Sequence, residues 1–410
     1  MIRTNWAANY TYQAARFHSP RSLEEVQELV VRCSKVKAVG TRHSFNNIAD
    51  TDHDQISLEH LNRIISCCDD TVTIEGGVAY GALCSYLAKR GRALHNLASL
   101  SHITVVGACA TATHGSGVGN GNLATAVVSL EIVRGDGSLL SLCKKDKEFD
   151  GTVVNLGALG VVTKLTLRTS PAFQISQRVY ERLPFRELLE HLDEFLSHAY
   201  SVSLFTDWTG DSINQVWIKA LEENGPLSSF FGAEPARTNL HPIGDLSPEN
   251  CTPQMGEPGM WHDRLPHFRL EHTPSSGEEL QSEYLIPRPN ARAAIEEVHD
   301  LRSLIAPLLQ VSEIRTVAAD SLWMSPCYRQ DCLAIHFTWK KDWPSVSALL
   351  PLLEARLAPL GAKPHWGKLF MDSRSSTYPR LQDFKELLNR HDPNGKFQNA
   401  FLEANISSAL

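Results

Sequence analysis

The chain has no apolar run near the roughly 20 residues that a membrane-spanning helix requires. It also has no excess of positive charge: 39 Lys and Arg against 46 Asp and Glu leave a formal net charge of −7. No basic stripe with interleaved aromatics occurs. These absences argue against a nucleic-acid or anionic-membrane binder. Nine cysteines are present, but no two form a CxxC pair. A zinc ribbon or a dithiol redox site is therefore not expected, and free thiols in a reducing cytosol are. The opening MIRTNWAANYTYQ lacks an apolar core and a cleavage site, so the expectation is a cytoplasmic protein without a secretory leader. A G-x-G-x-x-G fingerprint is missing as well. Counted from Gly115 its last position falls on Asn120, and from Gly117 on Asn122. Gly361 to Gly367 fails as a Walker A loop, because it is one residue too long and Leu369 follows Lys368. NAD and ATP lose support as the principal cofactor.

The 410 residues are 42% hydrophobic and 21% charged, ordinary for a globular protein of two or three domains. Ser22 with Glu25 reads as a capping box opening a helix whose apolar face is Val26, Leu29, Val30 and Cys33. A strand over 36–40 runs into Thr41-Arg42-His43, and a strand over 72–75 leads to Gly76-Gly77. A helix over 80–90 stops at Gly91. Strands near 127–134 and 138–143 flank the hairpin turn Gly135-Asp136-Gly137. After Pro171 the pattern becomes an antiparallel sheet with covering helices. Strands are expected over 201–208, 214–220, 279–286, 311–318 and 332–339, and helices over 186–198, 290–305 and 344–358. Residues 221–278 read as long loops, which at this length often carry function. A last helix is expected over 379–390.

Two features bear on chemistry. From Gly107 to Gly121 glycines cluster around Thr111, Thr113 and His114. Without a Cβ, backbone N–H groups can approach an anion, and the two hydroxyls could reach the same phosphates. Plain loops share this composition. Further on, Glu313 and Arg315 lie two apart on a strand and share one face, as do His336 and Thr338. Leu333, Ile335, Phe337 and Trp339 form the opposite, apolar face. The polar faces read either as a solvated sheet with a cross-strand ion pair or as the lining of a cavity that recognises hydroxyls.

Gly40-Thr41-Arg42-His43-Ser44-Phe45-Asn46, Leu97-Ala98-Ser99-Leu100 and Thr111-Ala112-Thr113-His114-Gly115-Ser116-Gly117 together resemble the alditol (xylitol or sorbitol) oxidases. These belong to the vanillyl-alcohol-oxidase-type covalent FAD flavoproteins. Glu313-Ile314-Arg315-Thr316, His336-Phe337-Thr338-Trp339, His365-Trp366-Gly367-Lys368, and Asp392-Pro393 with Phe397-Gln398-Asn399 extend the resemblance along nearly the whole chain. It implies an α+β, two-domain FAD-binding fold of the vanillyl-alcohol-oxidase/p-cresol-methylhydroxylase type. Residues 1–170, completed by 371–410, would bind FAD. Residues 171–370 would form a central antiparallel-sheet cap over the isoalloxazine ring.

The resemblance makes His43 the covalent link to the flavin 8α-methyl. Val39, Gly40, Thr41, Arg42 and Ser44 would wrap the pyrophosphate together with Thr104, Gly107, Thr111, Ala112, Thr113 and His114. Backbone near Val162 would hold adenine or ribose. One departure is visible: alditol oxidases often have Ser-Gly before the histidine, where this chain has Thr41-Arg42. Arg42 either adds charge near the diphosphate or points to solvent.

The activity implied is hydride transfer from the terminal C1 hydroxyl carbon of xylitol or sorbitol to flavin N5. Dioxygen then takes the electrons, giving hydrogen peroxide and an aldose. Lys368, Arg315, Glu313 and His336 are the expected catalytic residues. Arg315 and Lys368 would stabilise developing alkoxide, or Lys368 would itself take the proton. Ser99, Glu313 and Thr338 would hold the remaining hydroxyls, and His336 and His365 would orient substrate or flavin. The expected partners are a polyol and dioxygen, with no nucleic acid, no membrane and no metal, acting on a monomer. The competing reading is an aldonolactone oxidase or dehydrogenase of the L-gulonolactone type.

Overall fold

The computed structural model describes residues 3–221, 229–270 and 279–407. The first helix, Leu23–Arg32, begins as its sequence predicts: Ser22 accepts a hydrogen bond from the Glu25 amide, and Val26 and Val30 are buried. The second half of the capping box differs, because the Glu25 carboxylate accepts from the Arg21 amide at 2.7 Å. This helix packs beside a three-stranded parallel sheet in the order Arg16–His18, Asp54–Ser57, Val36–Val39. The strand Val36–Val39 ends at Gly40, so the parallel sheet delivers the Gly40–Asn46 loop.

A five-stranded antiparallel sheet follows, in the order Ile64–Cys68, Thr71–Glu75, Val161–Arg168, Val127–Val133, Leu139–Cys143. Its hairpin turns at Gly137, whose φ of 80° is open to glycine at little cost. The C-terminal tail returns to this part of the chain. Asn399 donates to the carbonyls of Asn47, Ile48 and Asp50 at 3.2, 3.1 and 2.8 Å. Lys37, buried in the parallel sheet, donates to Gly157 O and Phe397 O at 3.0 and 3.1 Å.

Residues 174–364 build a nine-stranded sheet. Its spine runs Gln174–Pro184, Ser212–Ala220, Ser201–Thr206, Leu309–Val317, Cys332–Lys340, Glu279–Pro287. Helices Ala291–Asp300 and Trp343–Leu357 cover one face, packing on Tyr284, Ile286, Leu333, Ile335, Phe337 and Trp339. The other face looks toward the Gly40–Asn46 loop.

Three expectations need correction. The helix over 186–198 is two pieces, Phe185–Glu190 and Leu192–Leu196, which meet at the non-helical His191. The helix over 290–305 breaks at Leu301 into Ala291–Asp300 and Arg302–Ile305. The eleven-residue strand Gln174–Pro184 was not anticipated. Of the expected loops over 221–278, residues 222–228 and 271–278 lie outside the described residues. The rest is tied to the sheet, with Gln177 donating to Pro253 O and Thr252 Oγ1, both at 3.1 Å. Among the described residues no helix is long and apolar enough to cross a membrane.

Candidate active site

One cavity of about 880 Å³ runs between the Gly40–Asn46 loop and the polar face of the nine-stranded sheet. That volume lies within the range of small-molecule and cofactor sites. Its first wall carries Val39, Gly40, Thr41, Arg42, His43 and Ser44. The Gly107 segment adds Thr104, Gly107, Thr111, Thr113 and His114, with Ser99 and Val162 beside them. Ala112 lies behind this wall in the core, at a φ of 53°.

The glycines here mark close approaches. A Cβ on Gly40 would come within 2.3 Å of Thr104 Oγ1, and one on Gly107 within 2.9 Å of the same atom. Both leave bare backbone against the cavity, as a phosphate cradle requires. Arg42 is exposed and donates to the Thr4 carbonyl at 3.2 Å. Its φ of 62° is a left-handed conformation that a non-glycine residue adopts at a cost.

His43 stacks on Trp6 with ring centroids 5.0 Å apart. Its Nε2 meets Nε2 of His102, and its Nδ1 lies 3.3 Å from Thr41 Oγ1. Burial and the neighbouring His102 push its pKa down to about 3, so the ring is a neutral imidazole with a lone pair to offer.

The opposite wall is a buried charge network, not a solvated face. Glu283, Glu313 and Arg315 are 1%, 4% and 5% exposed. In the sheet register Glu283 and Glu313 both lie opposite His336, one on each side. Arg315 Nη2 donates to Glu283 Oε1 at 2.8 Å, and Lys368 Nζ donates to Glu283 Oε2 at 2.6 Å. Lys368 Nζ also lies 2.8 Å from His336 Nδ1, and His336 Nε2 lies 3.0 Å from Thr338 Oγ1. Glu313 Oε2 sits 3.6 Å from Arg315 Nη1, and His267 Nε2 lies 2.8 Å from Glu313 Oε1. Thr338 reaches the site through His336 and is not among the cavity's lining residues, whereas Glu313, Arg315, His336, His365 and Lys368 are.

A backbone bond and a side-chain amide fix Lys368 against the His43 loop. Phe45 N donates to Gly367 O at 2.8 Å, and Asn46 Nδ2 donates to the carbonyls of Trp366 and Lys368 at 2.9 and 2.8 Å.

Two carboxylates and two cations balance here, so the quartet is neutral overall. Burial alone would raise the Glu283 carboxyl, but Lys368, His114 and Arg315 together hold it well below its ordinary range. Burial and Arg315 lower Lys368, while Glu283 opposes that shift. Burial and Lys368 push His336 down to about 3. The imidazole is therefore neutral: its Nδ1 accepts a hydrogen bond from the Lys368 ammonium, and its Nε2 carries the ring proton and donates it to Thr338 Oγ1.

The buried histidines set an acid limit on stability. Burial pushes His43 and His336 to about 3, His267 to about 4 and His365 well below the ordinary value. Unfolded, each binds a proton near pH ~6.5, whereas folded each stays neutral. Stability from these groups is therefore full above about pH 6.5 and is lost as pH falls toward the folded values. Thermal unfolding followed at each pH is expected to show Tm falling continuously from pH about 6.5 to 4. A flat Tm across that interval contradicts the assignment.

Several residues of this site were not singled out from the sequence: Glu283, Gln281, Trp6, His102, His267 and Lys219. Glu283 and Gln281 lie two apart on an expected strand, so the face argument that paired Glu313 with Arg315 applied to them too.

The FAD-binding domain family matches residues 14–143, and the D-arabinono-1,4-lactone oxidase family matches residues 277–405. The chain is 46% identical to an alditol oxidase from Streptomyces sp. over 408 residues, covering 97% of each chain. In structure it is similar to a solvent-stable cholesterol oxidase, with a TM-score of 0.77 at 15% identity over 98% of this chain and 97% of the other. It is also similar to glucooligosaccharide oxidase from Acremonium strictum, whose FAD is 6-S-cysteinyl, 8α-N1-histidyl. There the TM-score is 0.74 at 14% identity over 97% of this chain and 93% of the other. Bare glycine backbone at one end of the cavity, with a neutral histidine along its wall, fits a dinucleotide with a reactive ring.

Proposed function

The chain belongs to the alditol oxidase family of FAD-dependent oxidoreductases, and from that premise we propose that Lys368 and Arg315 stabilise the alkoxide from which an alditol gives up hydride. The fold is the α+β, vanillyl-alcohol-oxidase type expected from the sequence. The reaction is oxidation of an alditol, and the proposal places it at the terminal hydroxyl carbon of a chain such as xylitol or sorbitol, with an aldose as product. FAD, held by the residues named below, would supply the redox chemistry, a two-electron oxidation of the alcohol with dioxygen as the final acceptor and hydrogen peroxide as the product.

The protein supplies position and charge. An alcohol C–H leaves as hydride only as its O–H proton is lost; that proton passes by way of the Lys368 ammonium to the neutral His336, whose Nδ1 lies 2.8 Å from Lys368 Nζ, while the alcohol oxygen carries negative charge in the transition state. The observation that carries the reading is the neutral buried quartet, in which Glu283 bonds both Arg315 and Lys368. A cation aimed at the oxygen in a dry site costs no reorganisation as charge develops. Burial lowers the Lys368 pKa and Glu283 opposes that shift; the 2.6 Å bond from Lys368 Nζ to the Glu283 carboxylate is what supports the role of electrostatic stabiliser over that of base. His336 orients Lys368, with Thr338 fixing the ring. Glu313 and Ser99 take the remaining hydroxyls, and His365 steadies the turn that carries Lys368. Such a site disfavours deoxy analogues, because its buried polar groups would be left unpaired.

The same reading assigns FAD to residues 1–170 completed by 371–410, and the cap to 171–370. The bonds from Asn399 and Lys37 support this division. Val39 to Ser44, with Thr104, Gly107, Thr111, Ala112, Thr113 and His114, hold the diphosphate, and Val162 the adenosine end. His43 makes the covalent link to the flavin, supported by its neutral imidazole against Trp6. His43→Ala is expected to release all flavin on acid precipitation, whereas the unaltered protein keeps a yellow pellet. A yellow H43A pellet assigns the bond elsewhere. The nine unbridged thiols support a cytoplasmic site of action.

The match of residues 277–405 to the D-arabinono-1,4-lactone oxidase family favours lactone oxidation as the second reading. A panel of alditols and aldonolactones with peroxide readout separates the two.

A further inference from the structure

Resting on the alditol reading above, we infer that His267 and Lys219 position Glu313, and that this relay makes the site select open-chain polyols, which carry a donating hydroxyl on every carbon, over lactones, whose C1 and C4 oxygens can only accept. His267 comes from the long connection between the sheet strands, 46 residues from Glu313 in sequence. It is buried, and it is not among the residues lining the cavity, so it acts through Glu313. Its two nitrogens have distinct partners. Nε2 lies 2.8 Å from Glu313 Oε1 and Nδ1 lies 3.4 Å from Lys219 Nζ.

A carboxylate only accepts and an ammonium only donates. The tautomer follows: the His267 proton sits on Nε2 and is given to Glu313, while the Nδ1 lone pair faces the lysine. Lys219 is 1% exposed. Its Nζ also donates to the carbonyls of Leu265 and Pro266, the residues just before His267. The lysine thereby ties the connection to the sheet and holds the imidazole edge-on to Glu313. Phe205 and Trp217 close on the ring, each with centroids 5.3 Å away in an edge arrangement.

The consequence falls on one oxygen. With Oε1 taken by His267, Glu313 offers Oε2 to the cavity, beside Arg315. That atom is a fixed anionic acceptor. It rewards a substrate hydroxyl, which can donate. It repels a lactone carbonyl or ring oxygen, which can only accept. Without His267 the carboxylate can turn onto Arg315 and satisfy itself, and the discrimination is lost.

The test uses the holoenzyme and compares His267→Ala, His267→Gln, His267→Asn and Lys219→Met. Flavin content and Tm are measured alongside KM and kcat for xylitol and for L-gulono-1,4-lactone. Loss of a hydrogen bond to a charged group predicts that H267A raises KM for xylitol about 10- to 100-fold with a smaller change in kcat. The xylitol-to-lactone ratio of kcat/KM should fall by a similar factor. Gln, whose Nε2 can occupy the place of the imidazole Nε2, restores most of the ratio, whereas the shorter Asn does not. K219M follows H267A in direction. An unchanged ratio in H267A overturns the inference. So does a loss confined to flavin content and Tm that Gln fails to rescue, because that marks a merely structural residue. A wild-type protein inert toward alditols but active on the lactone removes the parent reading and this one with it.

Discussion

Lys368→Ala is expected to lower the rate at which xylitol reduces the bound flavin about 10²- to 10³-fold, with FAD still in place. The size follows from what the ammonium does. It is a hydrogen-bond donor at the cavity wall, 2.6 Å from Glu283 and 2.8 Å from His336. Water replacing it has to reorganise as charge builds on the substrate oxygen. The cradle proposed for the diphosphate, around Gly40, Thr104 and Gly107, is on the opposite wall, so cofactor binding should survive. Lys368→Arg keeps the charge but not the compact donor, and is expected to recover only part of the rate. Anaerobic stopped-flow mixing with xylitol reads both variants. Near-normal reduction of K368A would remove this lysine from the chemistry.

Glu283→Ala should be the most damaging change to the fold made at the site. It leaves Arg315 and Lys368 buried without their shared anion, and breaking a buried ion pair from one side costs about 3–5 kcal/mol. Denaturant unfolding of E283A against the unaltered protein measures it, and a loss below about 1 kcal/mol contradicts the hub role. Glu283→Gln keeps the shape and removes the charge, so it isolates the electrostatic part. Lys368 is already lowered by burial, and Glu283 is the group that opposes that shift most strongly. If the cation is the active form, flavin reduction declines as pH rises through the lysine pKa. In E283Q that decline should move to lower pH. A limb that stays in place would mean that Lys368 is not the group titrating.

Legibility in the sequence varies by element, for physical reasons. The strand Cys332–Lys340 was readable because Leu333, Ile335, Phe337 and Trp339 pack under helices while His336 and Thr338 face the site. Glu279–Pro287 conceals the same logic. Ser282 and Tyr284 sit on its helix-covered face and are polar there, bonding Trp339 Nε1 and the Glu354 carboxylate. Polar residues on both faces blur the period of two, so Glu283 did not stand out. Gln174–Pro184 was missed for a related reason. Gln177 is fully buried and spends its amide on loop carbonyls, so the strand lacks a clean alternation. The break at His191 has no proline or glycine to announce it. His267 lies in a connection with no periodicity, and only the folded chain brings it to Glu313. His43, Arg315 and Lys368 were reached through short motifs along the chain. The cavity puts all three on its walls.

In the proposed reaction a flavin held on the His43 wall is reduced by an open-chain alcohol activated against the buried quartet. The most direct test is the visible spectrum of the purified holoprotein, recorded without oxygen before and after adding xylitol, sorbitol and L-gulono-1,4-lactone in separate samples. The expected result is rapid bleaching of the flavin band by the two alditols, slower or no bleaching by the lactone, and recovery of the yellow colour on admitting air. A flavin bleached by the lactone and left oxidised by both alditols would contradict it.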